Sequence, residues 1–183
     1  MRSKMRVKHQ YTVEFKMNHL GYGEWIEEPD LVEFSYKDYE CMVKRVIEKE
    51  PYTPIEHYFG GHLCGYVLVP SDHPLHHKKY EEMGIDCHFG LTFGEVSNGH
   101  WIGFDCGHCI DFVPSIEKFR NESPELKSLN QKMMENFKDI FENNVLFNRT
   151  YRNIEFCVKQ CESIVDQLIE LKIGALEEKN KMS

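Results

Sequence analysis

Between Ile154 and Leu171 apolar side chains return every three or four residues. Ile154, Val158, Cys161, Val165 and Leu168 make one stripe, which Cys157, Ile164 and Leu171 widen. That is the spacing of a single helical face. A helix apolar on one side must lay that side on something, and the repeat is too short to make a coiled-coil seam its natural partner. The rest of the chain has to supply a surface for it, and a sheet is what the residues upstream offer.

Leu63 to Val69 reads as a short buried strand stopped by Pro70, Ile85 to Phe93 as a second and Trp101 to Cys106 as a third. Ser97-Asn98-Gly99 between the last two predicts an antiparallel hairpin. Gln10 to Met17 alternates, with Tyr11, Val13 and Phe15 on one side, which predicts a strand. Ser35 followed by Asp38 resembles a capping box, and Tyr39, Met42, Val43, Val46 and Ile47 then follow at helical spacing. A helix over 36–48 is expected. Ser123-Pro124 opens another helical pattern, carried by Leu126, Leu129, Met133, Phe137, Ile140 and Phe141. The order predicts one α+β domain over 1–183: an antiparallel sheet covered mainly on one face by helices, with a long C-terminal helix. Residues 1–9 and 175–183 are expected to be frayed termini.

The 183 residues carry a formal charge of −8, and no stretch gathers enough Lys and Arg for a nucleic-acid footprint. No apolar run approaches the length of a signal peptide or a membrane span. The expectation is a cytoplasmic protein with no nucleic-acid or membrane partner, compatible with a homo-oligomer. Seven cysteines, an odd number, suit free thiols in a reducing compartment. Four of them, with eight of the ten histidines, fall between residues 57 and 111. The chemistry is expected there.

In that region Cys106-Gly107-His108-Cys109 has the form of a redox-active CxxC. Such a motif works when the first thiolate caps a helix, whereas Pro114 discourages a long helix from Cys106 and Asp105 and Asp111 raise a neighbouring thiol's pKa. No disulfide is expected. A zinc site from Cys106 and Cys109 would need Cys64, Cys87 or His88 at nonstandard spacing. A third arrangement sets Cys109 aside and groups His88, Asp105, His108 and Asp111 as one polar cluster. Its bland counterpart is a set of hydrogen-bonded core histidines and turn-forming aspartates, but so many ionisable groups in an apolar hairpin are costly to desolvate.

The segments GYVLVPSDHPL (65–75), IDCHFGLTFGE (85–95) and HWIGFDCGHCID (100–111) resemble an uncharacterised family of bacteriophage- and prophage-encoded proteins. Its corresponding stretches run GYVxVPxxHPL, DVHGGLTF or DVHGGLTY, and WWxGFDCxHxxD, and TYRNIEFCVKQCESIVDQL (150–168) is similar to its closing helix. The likeness spans about half the chain. It implies that Tyr66, His73, Pro74, His88, Gly90, Leu91, Thr92, Trp101, Gly103, Phe104, Asp105, Cys106, His108, Asp111, Tyr151 and Arg152 hold family positions. Cys87, Phe89, Cys109 and Ile110 depart from the pattern, Phe89 standing where a glycine is usual. The resemblance supplies positions and no activity, and the setting it implies is the cytoplasm of a bacterial host.

His88, Asp105, His108 and Asp111 can share proton transfer or hold a divalent metal, and both suit hydrolysis of a nucleotide-like or other small polar ligand. Tyr66, His73, Thr92, Trp101 and Arg152 are the expected ligand-binding groups, Arg152 matching a phosphate or carboxylate. The alternative is a binder that sequesters a signalling nucleotide without chemistry, stacking a base on Trp101, Phe93 or Tyr66 while Arg152, Lys78 or Lys79 reaches phosphate. The third class is a structural or interaction protein.

Overall fold

The structure, a computed structural model, describes residues 2–49, 58–96, 99–123 and 149–181. Its elements in chain order are β1 (Arg6–Lys8), α1 (Val13–Leu20), a 3-10 turn (Glu24–Ile26), β2 (Leu31–Tyr36), β3 (Tyr39–Lys49), β4 (Tyr58–Val69), a second 3-10 turn (Tyr80–Glu82), β5 (Phe93–Glu95), β6 (His100–Asp105), α2 (Pro114–Glu122) and α3 (Ile154–Lys181). Six strands form one sheet in the order β1-β2-β3-β4-β6-β5, antiparallel throughout. With α3 laid across it, the expected α+β architecture with a long C-terminal helix is present.

The stripe that predicted α3 is its buried face. Cys157, Val158, Cys161, Ile164, Val165 and Leu168 sit in one cluster with Val43, Leu63, Val67, Ile102 and Phe104 from the three central strands. Gly65 on β4 lets this contact close. A Cβ there would lie 2.4 Å from the Phe104 ring and 2.9 Å from Cys161 Sγ.

Three expected elements take another form. Residues 36–48 are strand instead of helix: β2 and β3 make a hairpin whose two turn residues, Lys37 and Asp38, both have positive φ. That backbone matches the right-handed twist of paired strands. Tyr39, Cys41 and Val43 face the α3 side, while the outer face also carries Met42 and Val46, so the two-residue alternation is hidden. The expected strand over 10–17 is replaced by the helix α1 at 13–20. Thr12 caps the helix by accepting from Phe15 N–H, and Lys16 and Leu20 form its buried edge. Of the expected strand 85–93 only the last residue pairs, in β5. The backbone of 86–88 is held instead by α3 side chains: Asp86 N–H and C=O bond to the Gln167 amide, and His88 N–H donates to Gln160 Oε1.

Arg6–Lys8, within the N-terminal stretch expected to fray, pairs with β2, and α3 continues to Lys181. The amphipathic pattern from Leu126 to Phe141 lies outside the described residues.

Beside the main core, a charged network ties the chain's beginning to the start of α3. Asp30 is fully buried and accepts from Lys16 Nζ (2.9 Å), Arg45 Nε (2.9 Å) and the amides of Gln10 and Tyr11. Burial pushes its carboxyl up, but these donors outweigh that and hold it below the usual value. Arg45 also donates to the Tyr151 hydroxyl and to Glu28, which accepts from Tyr151 at 2.6 Å and caps Ile154 N–H. A buried charge needs partners of this number. The consequence for the site is local: residues 151–154 are fixed in place.

Candidate functional site

Three segments meet at the end of β6. The loop before β5 brings His88 and Phe89, the turn after β6 brings Asp105 to Asp111, and the start of α3 brings Arg152, Phe156 and Gln160. The turn is tight because Gly107 N–H donates to Asp105 Oδ1 and Asp111 N–H donates to His108 C=O. Asp111 and Thr150 then pair as a parallel bridge, which draws Arg152 alongside the turn.

Asp111 is the hub. Its carboxylate is out of contact with solvent and lies within reach of His88 Nε2 at 2.9 and 3.0 Å. Arg152 Nε donates to Oδ1 at 3.1 Å, and His108 donates to Oδ2 from its backbone at 3.1 Å, with ring Nδ1 at 3.3 Å. Burial raises the Asp111 carboxyl, but the bonds and charge of His88 and the guanidinium prevail and hold it below the ordinary carboxylate range. An ionised Asp111 accepts only, so His88 bears its proton on Nε2 and His108 on Nδ1. The opposite nitrogens, His88 Nδ1 and His108 Nε2, carry lone pairs. His108 is the more open, its side chain 22% exposed against 8% for His88.

Aromatic rings frame the pair. Phe89, more than half exposed, stacks on His108 with centroids 4.4 Å apart, and Phe156 meets His88 edge-on at 5.3 Å. The Phe89 backbone has φ +56°, which costs a non-glycine residue about 1 kcal/mol or more.

Of the expected catalytic set, His88, His108 and Asp111 converge. Asp105 stands at the margin, its Oδ1 3.8 Å from His108 Nδ1 and occupied by Gly107 N–H. Among the described residues His88, His108 and Asp111 are the one group of potential metal ligands, with donor atoms all within 4.8 Å of one another.

Of the expected ligand-binding set only Arg152 touches the hub. His73 is a correction: it is buried, with Nε2 bonded to Leu168 C=O and Nδ1 accepting Leu75 N–H, so both nitrogens are spent holding the β4–β5 loop to α3. Tyr66 and Trp101 share the sheet face of Cys64 and Asp105 by register, and Tyr66 packs against Phe93 at 5.3 Å. Trp101 lies two strand pairs beyond Asp105 on that face. Thr92 donates its amide to Gly103 C=O at the start of β5.

His62 went unnoticed in the sequence because it sits inside an apolar strand. On β4 it pairs with Val46 of β3, and a Cβ at Gly107 would lie 3.3 Å from its Nε2 and 3.2 Å from Asp105 Oδ1. Its Nδ1 is buried with no partner, and burial lowers its pKa.

The cysteines take no part. All seven are free thiols; Cys106 Sγ lies in the core 3.7 Å from Cys157 Sγ, while Cys109 is exposed. The contact with Cys157 and burial push the Cys106 thiol far up, the reverse of a redox-active cysteine. Burial likewise takes Cys64 up to about 12 and Cys87 to about 11.

No protein-family model, curated protein or solved structure matches this chain.

Proposed function

We propose that His88, His108 and Asp111 form a general acid–base site that hydrolyses a small polar molecule. The observation that carries this is a single buried carboxylate holding two imidazoles, each through one ring nitrogen. Fixing the tautomer and orientation of a histidine with a buried carboxylate is how proteins make it an effective base near neutral pH. His108 Nε2 takes a proton from water as the water attacks. Asp111 stabilises the imidazolium that results, and His108 returns the proton to the leaving group. His88, less exposed and pinned through its backbone by Gln160, keeps Asp111 in place and offers Nδ1 as a second proton acceptor or donor.

Incubation with a panel of cyclic and linear nucleotides and simple esters, followed by denaturation and chromatography, tests this. The expected outcome is a new product peak that His108→Ala removes while much of the binding survives, because a proton-transferring group acts chiefly in the transition state. A ligand that binds tightly and is recovered intact would replace hydrolysis with sequestration. The resemblance to phage and prophage proteins supports a setting inside an infected bacterial cell. Among the described residues no helix is long and apolar enough to cross a membrane.

A second reading is supported by the convergence of the three donor atoms, since two imidazoles and a carboxylate suit a divalent cation such as zinc. Bound there, the ion would supply an activated water, and Arg152 and the His108 amide would hold the carboxylate. Stoichiometric metal in purified protein, lost in His88→Ala, would favour this route over proton transfer by His108 alone.

A further inference from the structure

Leaving β4, the chain crosses α3 as a strap of successive turns from Pro70 to Lys79. His73 N–H donates to Pro70 C=O, His76 N–H to His73 C=O and Lys78 N–H to Leu75 C=O. Leu75 of the strap is buried together with Val69 and Leu168 in the main core. One buried polar side chain ties the strap to the helix. It is His73, whose Nε2 lies 2.8 Å from Leu168 C=O and whose Nδ1 accepts Leu75 N–H at 3.1 Å. The ion pair of Lys172 with Asp72 is a second tie, but it is exposed and adds little. The tie at His73 exists only while the ring is neutral. A second proton would set Nδ1–H against Leu75 N–H, donor facing donor.

The strap also packs on His100 at the start of β6. That ring is 1% exposed, and its Nδ1 is buried without a partner. The His76 ring lies 5.5 Å from it, and His77 meets His76 at 4.6 Å, so the titratable groups facing His100 are two more imidazoles. Those facing His73 are Lys172 on α3 and Asp72 and His76 on the strap; Asp72 favours a cation there, while Lys172 and His76 oppose it. Tyr39 of β3, beside Lys172 and Asp72, titrates above its ordinary value of 10 and stays neutral. We propose that residues 70–79 are an acid-released strap: protonation of His73 and His100 lifts it from α3 and β6 and bares the apolar surface of Val69, Leu75 and Leu168. Burial lowers the pKa of both histidines, so closure is favoured above the open-chain value near 6.5 and is lost as pH falls below it. Release stops short of the candidate site. Further along the loop Met83 and Ile85 are buried, and Asp86 and His88 are held by Gln167 and Gln160, whose amides do not titrate. The strap is independent of the hydrolytic reading.

Amide exchange of the full chain, followed by NMR at pH 7.5 and 5.5 and corrected for the pH dependence of the chemical step, tests this. A histidine that is neutral in the closed strap and titrates near 6.5 in the open one favours opening about tenfold more at the lower pH, and two favour it about a hundredfold. The amides of Leu75, His76 and Lys78 should lose protection by about that factor. Dilute urea should leave their exchange unchanged, the mark of a local opening, while it accelerates exchange in β4 and α3. His73→Gln, which offers Leu168 and the Leu75 amide an uncharged partner, should leave only the roughly tenfold share of His100. Strap protection that changes less than about threefold overturns the proposal, and so does strap exchange that urea accelerates as it does the core, since that is whole-molecule unfolding. A His73→Gln strap as acid-sensitive as wild type overturns it too. The wild-type His73 ring gives a check that needs no variant: its NMR titration midpoint should lie below 6.5, and a midpoint at or above that value overturns the strap.

Discussion

Asp111 accepts from a guanidinium, two imidazoles and a backbone amide with its carboxylate closed to solvent. Asp111→Asn offers these donors an amide with one accepting oxygen in place of two. We expect it to destabilise the fold by about 2–4 kcal/mol, read as a lowered midpoint in chemical denaturation. It should also reduce the proposed hydrolysis by at least about a hundredfold, since His108 loses the group that sets its tautomer. Because the Asp111 carboxyl titrates below its usual value, the stability it contributes is present above the unfolded carboxyl's pKa near 3.8 and is lost only as pH falls through the still lower folded pKa. Phe89 is the reverse case, a side chain its backbone does not want. Phe89→Gly removes the penalty at φ +56° but uncovers the face of His108. We expect stability within about 1 kcal/mol of wild type and altered affinity for ligands carrying an apolar group.

The helix and the sheet meet where one residue has no side chain. Gly65→Ala would put a Cβ against the buried Phe104 ring and Cys161, and neither has space to retreat. A cost of about 1–3 kcal/mol is expected from overpacking, with α3 displaced and hence Arg152 and Gln160 with it. The check is thermal melting paired with the NMR signal of His88. At this scale α3 was readable because one face is buried and the other is wet, so its period shows. The β2–β3 hairpin was not. Both faces of β3 carry apolar residues, and its turn is Lys37-Asp38 with none of the glycine or asparagine that advertises positive φ. The loop of 84–92 misled for another reason. Its apolar residues suit a strand, but Gln160 and Gln167, about seventy to eighty residues later in the sequence, take its backbone hydrogen bonds.

Three histidines are enclosed by the fold as a whole, and they couple it to pH. Burial lowers the pKa of His62 beside the site, of His73 under α3 and of His100 at the start of β6, each from an ordinary value of 6.5. For a depressed histidine the stability is present above the unfolded pKa and is lost as pH falls toward the folded one, because the unfolded chain takes up protons the folded chain refuses. Each that stays neutral contributes a slope of up to about 1.4 kcal/mol per pH unit in that window. The melting temperature should therefore fall between pH 7.5 and pH 5.5. A flat profile would mean that these histidines titrate as they do in the open chain. His73→Gln, which removes one titrating ring while leaving an amide near Leu168, should make the profile shallower.

From residue types and spacing alone came the fold class, the strands over 63–69 and 101–106, the long last helix, and the grouping of His88, Asp105, His108 and Asp111, of which Asp105 stands at the margin. Each of these is local, or is a pattern that a half-buried element must repeat, and so it is written along the chain. Only the tertiary structure showed that Asp111 is the hub, that Arg152 reaches it, that His73 is an anchor and that His62 faces the turn. These depend on which segments the sheet order brings side by side. The parallel bridge between Asp111 and Thr150 is one such meeting, and the network from Asp30 through Arg45 and Tyr151 to the start of α3 is another. A hydrogen bond between residues forty or a hundred positions apart leaves no periodicity in the sequence, because the partner is chosen by the packing of everything between them.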